Sequence, residues 1–303
     1  MSDLRGVILP DRGILRVAGE DRRDFLQGLI SNDVALLSPE HALYAALLTP
    51  QGKYLFDFLL FERDGQILLD AELGRLPALL QRLTMYRLRS RVALADATAA
   101  HAVIAAFDGD AVPALGLPDT PGAVRAEGAA LLAVDPRLAQ LGVRAVVPRD
   151  DVQAFLAAHG LTPAPFAAYD RHRLALGVPD GSRDLVIEKS ILLESGFEEL
   201  HGVSFEKGCF VGQELTARSK HRGLVKKRLF PVRVEGPLPE PGTIILNGGK
   251  EAGELRSGRE NRALALLRLE AASAALSGNV GLLASGSSIV PEPPSWMQLP
   301  VSS

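Results

Sequence analysis

The stretch FEKGCFVGQELTAR, residues 205 to 218, contains Cys209, the only cysteine in the 303-residue chain. Gly208 precedes the thiol and Gly212 follows it, so the backbone can turn sharply there, and QELTAR reads as the start of a helix. A cysteine near a helix N-terminus has its thiolate favoured by the dipole; Lys207 adds a nearby cation, and Glu206 works against it. These residues suit a reactive or metal-ligating thiol as well as a buried structural one, because unpaired cysteine is among the most buried residue types. An iron-sulfur cluster takes about four protein ligands, mostly thiolates. One cysteine cannot supply them, and the histidines (His41, His101, His159, His172, His201, His221) show no ligand-like spacing. Any cluster on Cys209 would need ligands from a second protein or a small thiol. His201 and His221 are candidate bases for a Cys-His pair.

Three further segments have chemical potential. KHRGLVKKR, residues 220 to 228, places Lys220, Arg222, Lys226, Lys227 and Arg228 in one run, which attracts phosphates, carboxylate tails or an acidic partner. The alternative is a solvated edge strand whose charges discourage aggregation. In SILLESGFEELHG, residues 190 to 202, Glu194 follows three apolar residues. A carboxylate in such surroundings can accept paired hydrogen bonds from an amidine-like edge such as a pterin, or simply lie on the polar side of a short helix. In TPQGKYLFDF, residues 49 to 58, Asp57 alternates with apolar neighbours on a strand, facing either a pocket or solvent.

The elements that must position these residues follow from periodicity. GILRV from Gly13 reads as a strand, and Phe25, Leu26, Leu29 and Ile30 have helical spacing. LYAALLTP, KYLFDFLLFE and QILLDAE read as antiparallel strands separated by turns at Pro50-Gln51-Gly52 and Asp64-Gly65. Leu76, Leu79, Leu80 and Leu83 predict a helix packed on that sheet. From 96 to 148 the chain is rich in Ala, Pro and Gly, with β-like pieces such as HAVIAAF; RAVVP then leads into a second helix, DDVQAFLAAHG, capped by Asp150 or Asp151 and ended by Gly160. From Leu229 onward, LFPVRV, GTIILN, AGELRS and ALALLRL predict a small β-barrel, and VPEPPSWMQLP an extended surface tail. The fold class is α+β.

Composition sets the outer bounds. Hydrophobic residues at 47% and charged residues at 23% describe a globular chain. Its length exceeds what one core usually serves. A net charge of -3 argues against a dedicated nucleic-acid binder. The apolar runs fall short of the roughly 20 residues a membrane span needs. With one cysteine and neither a signal-like nor a long Arg/Ser-rich amphipathic amino terminus, the expected setting is cytoplasmic.

DFLQGLISNDV (24 to 34), TPQGKYLFDF and LLESGFEELHGVSFEKGCFVGQELTARSKHRGLVKKRLFPV (192 to 232), in this order, resemble the folate-binding family of the glycine-cleavage aminomethyltransferase and its YgfZ-type relatives. The KGCFVGQE motif, Lys207 to Glu214 and including Gln213, is similar to that of the YgfZ branch with its mitochondrial iron-sulfur assembly factor. The resemblance implies an aminomethyltransferase-like fold: two intertwined α/β subdomains around a central channel over residues 1–225 and a C-terminal β-barrel over 226–303. It implies tetrahydrofolate as ligand, with Glu194 at the pterin and Phe197, Phe205 and Phe210 flanking a ring. It further implies that Cys209 is a thiolate ligand to an iron-sulfur cluster shared with an A-type carrier, or a redox-sensitive thiol. Gly208 and Gly212 would shape its loop, and the basic run would meet the folate tail or the partner. Where the aminomethyltransferase has two adjacent acidic residues, this sequence has Phe56-Asp57, leaving Asp57 as the one candidate for a residual transferase.

Overall fold

The computed structural model describes residues 4–108, 110–221 and 225–299, without the side chain of His221. They form two compact units. The first comprises the described residues of Met1–Pro50, Leu55–Tyr169 and Leu200–Gln213; the second comprises those of Gln51–Tyr54, Asp170–Glu199 and Glu214–Ser303.

The first unit contains two sheets. One has the strand order Leu43–Leu48, Tyr54–Arg63, Gln66–Glu72, Arg12–Ala18, Ala93–Asp96. Leu43–Leu48 is buried along its whole length, and Tyr54–Arg63 at every residue but the last, so neither shows the half-solvated alternation of a surface strand. Helix Leu76–Arg87 starts with proline in its first turn and buries Leu76, Leu79 and Leu83 in the core of this sheet. The expected helix at Phe25 is the short segment Arg22–Gln27, whose Phe25 and Leu26 enter the same core.

The Ala-rich middle of the chain builds the second sheet, in the order Thr162–Pro163, Arg5–Ile8, His101–Phe107, Val143–Pro148, Ala130–Val134, Val124–Glu127. Helix Val152–Ala158 closes its core with Val152, Phe155 and Leu156. Asp151 is its N-cap residue but makes no side-chain cap bond. The two sheets approach through buried charge. Arg12 Nε donates to Asp70 Oδ1 at 2.6 Å in the first sheet, Arg144 Nη1 of the second lies 3.7 Å from Asp70 Oδ2, and Arg137 forks onto Asp135 at 2.9 and 2.7 Å.

The second unit is organised on a closed six-stranded barrel: Lys227–Glu235, Arg262–Arg268, Lys250–Arg259, Ile244–Asn247, Leu282–Ala284, Ser287–Pro291, the last pairing with the first. Helix Leu269–Leu276, absent from the strand-only expectation, contributes Ala271 and Ala272 to the barrel core. The tail is also not simply laid over the surface. Met297 is buried, Trp296 packs on the same core, and its Nε1 donates to Leu176 O at 2.8 Å. Two large apolar side chains outweigh the extended Pro-rich context around them. Residues 51–54 join this unit through Tyr54 N, which donates to Ser190 O at 3.0 Å, and Glu188 N, which donates to Tyr54 O at 2.8 Å. No helix of the described residues is long and apolar enough to cross a membrane.

Candidate functional site

Cys209 is exposed, on a loop that precedes helix Gln213–His221. The loop is fastened on both sides of the thiol to residues 28–32. Ser204 N donates to Ser31 O at 3.0 Å, Ser31 Oγ to Gly202 O at 2.6 Å, Asn32 Nδ2 to His201 O at 2.8 Å and Val211 N to Gly28 O at 3.3 Å. Lys207 completes the attachment. Its side chain is buried, and Nζ donates to Gln27 O, Ile30 O and Asn32 O, each at 2.8 Å. Burial pushes the ammonium down to about 8, with Asp33 opposing that shift. The same ammonium lies 5.1 Å from the centre of the Phe210 ring.

This corrects the role expected of Lys207 from sequence. An ammonium has three N–H donors, and here all three go to carbonyls, so Lys207 serves as a clamp rather than as a cation facing the thiol. Gly212 has φ +83°, a backbone region that L side chains rarely adopt. Gly208 is not at positive φ and a Cβ there would meet nothing within 4 Å, so its effect is to leave the surface beside Cys209 bare. Glu214, in the first turn of the helix, is paired with Arg218 one turn on. Gln213 is the first helical residue, where its backbone N donates to Phe210 O at 3.2 Å.

Of the two candidate bases, His201 is exposed and interacts electrostatically with His41, whose pKa is lowered by burial and then by His201. The side chain of His221 lies outside the described residues. No group of three or more His, Cys, Asp and Glu side chains able to hold a metal occurs among the described residues.

Glu194 sits on the short 3-10 turn Leu193–Ser195, which ends at Gly196 in the left-handed region at φ +79°. Leu192, Leu193 and Ser195 are buried around it. Burial raises the Glu194 carboxyl pKa, and the positive charges of Lys53 and Lys227 pull it back. The structure thus gathers a half-buried carboxylate and two lysines, of which Lys53 was not singled out from sequence although it belongs to TPQGKYLFDF. Phe197 is fully buried and Phe210 nearly so, while Phe205 is half-buried. Phe197 is therefore a core residue with no face open to a ring.

Asp57 is buried in strand Tyr54–Arg63 and accepts a hydrogen bond from Tyr44 Oη at 2.9 Å, so it is not the exposed strand carboxylate that alternation also permitted. Burial and the neighbouring Asp57 raise the Tyr44 pKa well above its ordinary value.

The basic run is not one continuous patch. Lys220 pairs with Glu198 at 2.7 Å. Arg228 is buried, pairs with Glu199 and donates to Leu193 O at 3.3 Å. Lys227 faces Glu194, Lys226 is exposed, and Arg222 lies outside the described residues. The charges are divided because Arg228 is buried against Glu199 and the Leu193–Ser195 turn, whereas Lys226 and Lys227 keep contact with solvent. A cavity of about 290 Å³ lies in this unit, lined by Leu193, Glu198, Glu199, Lys220, Arg228 and Leu269 among others.

Comparison with known proteins agrees with this architecture. The pattern of the CAF17 C-terminal beta-barrel domain matches residues 226–299. The chain is 36% identical over 284 residues to the mitochondrial iron-sulfur cluster assembly factor IBA57 of Mus musculus, covering 86% of this chain and 77% of that protein. Against the Homo sapiens protein of the same name it is 37% identical over 284 residues, with 86% and 76% covered. Among solved structures, the glycine cleavage aminomethyltransferase T of Bartonella henselae superposes with TM-score 0.76 at 16% identity, covering 98% of this chain and 87% of that one. The shared fold is α+β with a closed C-terminal barrel. The expected cytoplasmic setting is overturned, because these sequence relatives are named as mitochondrial. A single unpaired cysteine is compatible with any reducing compartment and does not single out the cytoplasm.

Proposed function

Because the chain belongs to the IBA57 family of iron-sulfur cluster assembly factors, we propose that it supports assembly or repair of iron-sulfur clusters, using Cys209 toward the cluster and binding tetrahydrofolate beside Glu194. The observation that carries this reading is an exposed thiol on a loop clamped through a buried lysine. A free loop would have to be ordered when a partner arrives, at a cost in conformational entropy; a fastened one presents its sulfur in a defined place beforehand. The cluster is cargo, and Cys209 supplies one thiolate or one redox-sensitive sulfur, with the remaining ligands coming from a cluster assembly protein such as an A-type carrier.

The residues around Glu194 fit a folate. A half-buried carboxylate accepts paired N–H donors from a pterin edge, and Lys53 and Lys227 supply charge that keeps it ionised or meets acidic groups of the ligand. Tetrahydrofolate bound there would supply a reduced pterin able to carry one-carbon units. Anaerobic transfer of a cluster from an A-type carrier tests the thiol: Cys209→Ala should reduce transfer yield and alter the cluster spectrum, and an unchanged spectrum and yield would remove the ligand role. Equilibrium binding of tetrahydrofolate to Glu194→Gln and Cys209→Ala separates the pocket from the thiol, since only the first should lose affinity.

A second reading, a folate-dependent aminomethyl or other one-carbon transferase, draws on the burial of Asp57 and its bond from Tyr44. Formation of a methylene-folate product from a lipoyl-bound donor, abolished by Asp57→Asn, would favour it over the assembly role.

A further inference from the structure

Helix Leu76–Arg87 turns Leu76, Leu79 and Leu83 into the core of the five-stranded sheet, while Met85 is 64% exposed. The chain leaves the helix through Leu88, which is 87% exposed and has φ 44° and ψ −110°. A leucine at positive φ carries steric strain that glycine, the usual residue after a helix end, would not. Its side chain gains almost no burial in return. Arg82 lies one turn before Met85, and Arg87 and Arg89 flank Leu88. None of the three guanidinium groups makes a hydrogen bond or ion pair among the described residues. Arg91, two residues further on, already holds Glu20 and Asp21. In a chain of net charge -3, this tip combines unpaired guanidinium groups with two bare apolar side chains.

We infer that Arg82, Met85, Arg87, Leu88 and Arg89 form the docking surface for an acidic protein partner, the cluster carrier, whose carboxylates surround an apolar recess that receives Leu88 and Met85. The inference rests on the assembly reading above for the partner's class, and on charge complementarity for its sign. Arginine and methionine are enriched at protein interfaces, and arginine is among the residue types that concentrate binding energy there. A lipid surface is a poorer fit, since a membrane-bound helix lays its apolar face in the bilayer plane, and this helix turns that face into the core. A single-stranded nucleic acid would call for stacking aromatics, whereas Tyr86 packs partly buried against the core.

The full chain is titrated by calorimetry with a purified A-type cluster carrier, using wild type, Arg87→Glu with Arg89→Glu, and Leu88→Gly. The charge reversal should weaken binding by at least about tenfold and flatten its salt dependence. Leu88→Gly should weaken binding roughly fivefold while its melting temperature equals or exceeds that of wild type, because glycine relieves the positive φ. That opposition separates a docking role from a structural one. Carrier binding unchanged in both variants overturns the docking surface and leaves the proposed function standing; no binding by the wild-type chain overturns both. If the charge reversal leaves carrier binding intact but abolishes binding to phosphatidylglycerol-containing vesicles, the tip belongs to a lipid surface and the inference fails.

Discussion

Replacing Lys207 by methionine removes the clamp and keeps most of the side-chain volume. In the native protein Nζ makes three bonds of 2.8 Å to Gln27 O, Ile30 O and Asn32 O. Hydrogen bonds from a charged donor contribute about 1.5–3 kcal/mol each, offset by several kcal/mol for withdrawing an ammonium from water. Methionine abolishes that desolvation cost but strips three carbonyls of a donor, at about 1 kcal/mol or more each. The expected net loss is about 3 kcal/mol by urea denaturation, with faster amide exchange confined first to residues 28–32 and 202–211. Lys207→Arg should recover little, because a planar guanidinium cannot aim three donors at carbonyls arranged for one nitrogen. The pH dependence adds an independent check. With the folded amine held down to about 8 and the unfolded one at its ordinary 10.5, the unfolded chain binds the extra proton between these values. Wild-type stability relative to Lys207→Met should therefore grow as pH rises through that window. A variant within about 0.5 kcal/mol of wild type, the range of an ordinary surface substitution, with unchanged exchange at residues 28–32, would refute the clamp.

The other expectations concern separate parts of the chain. Burial raises the Glu194 pKa, so tetrahydrofolate affinity should fall as pH drops through that raised value, and Glu194→Gln should flatten the profile. In the folded protein alone, the same shift means that this group's contribution to stability diminishes as pH rises from its ordinary value of 4.5 through the raised one, which a comparison of denaturation curves with Glu194→Gln detects. Met297→Ala should destabilise the barrel by about 2–4 kcal/mol in thermal or chemical unfolding, because the side chain is buried in its core. Arg173 donates to Asp170, Asp184 and Ser257 at 2.6 to 2.8 Å, so Arg173→Met should cost about 3–5 kcal/mol by leaving the buried Asp184 carboxylate without its cation, while Asp170 keeps Arg183 and Arg259.

Much of the fold was legible locally. Strands such as Gln66–Glu72 and Arg262–Arg268 announce themselves by composition and by the turns beside them, and Leu76, Leu79 and Leu83 by spacing. Helix Leu269–Leu276 was not, because its buried contacts are alanines that give little periodic signal. Trp296 and Met297 were hidden by prolines that favour an extended reading, although their burial depends on a barrel built from residues far upstream.

The sequence alone determined that one thiol, in a Gly-flanked motif, has no set of companion ligands, and that Glu194 and Asp57 stand among apolar neighbours. Tertiary structure decided what the cations near them do. Lys207 is two residues before Cys209 in the chain, yet its three donors turn to carbonyls of residues 27–32. Arg228, within the basic run, is buried against Glu199, while Lys227 beside it faces Glu194. Hydrogen bonding and burial depend on which distant backbone arrives within about 3 Å, and no reading of neighbours along the chain contains that distance.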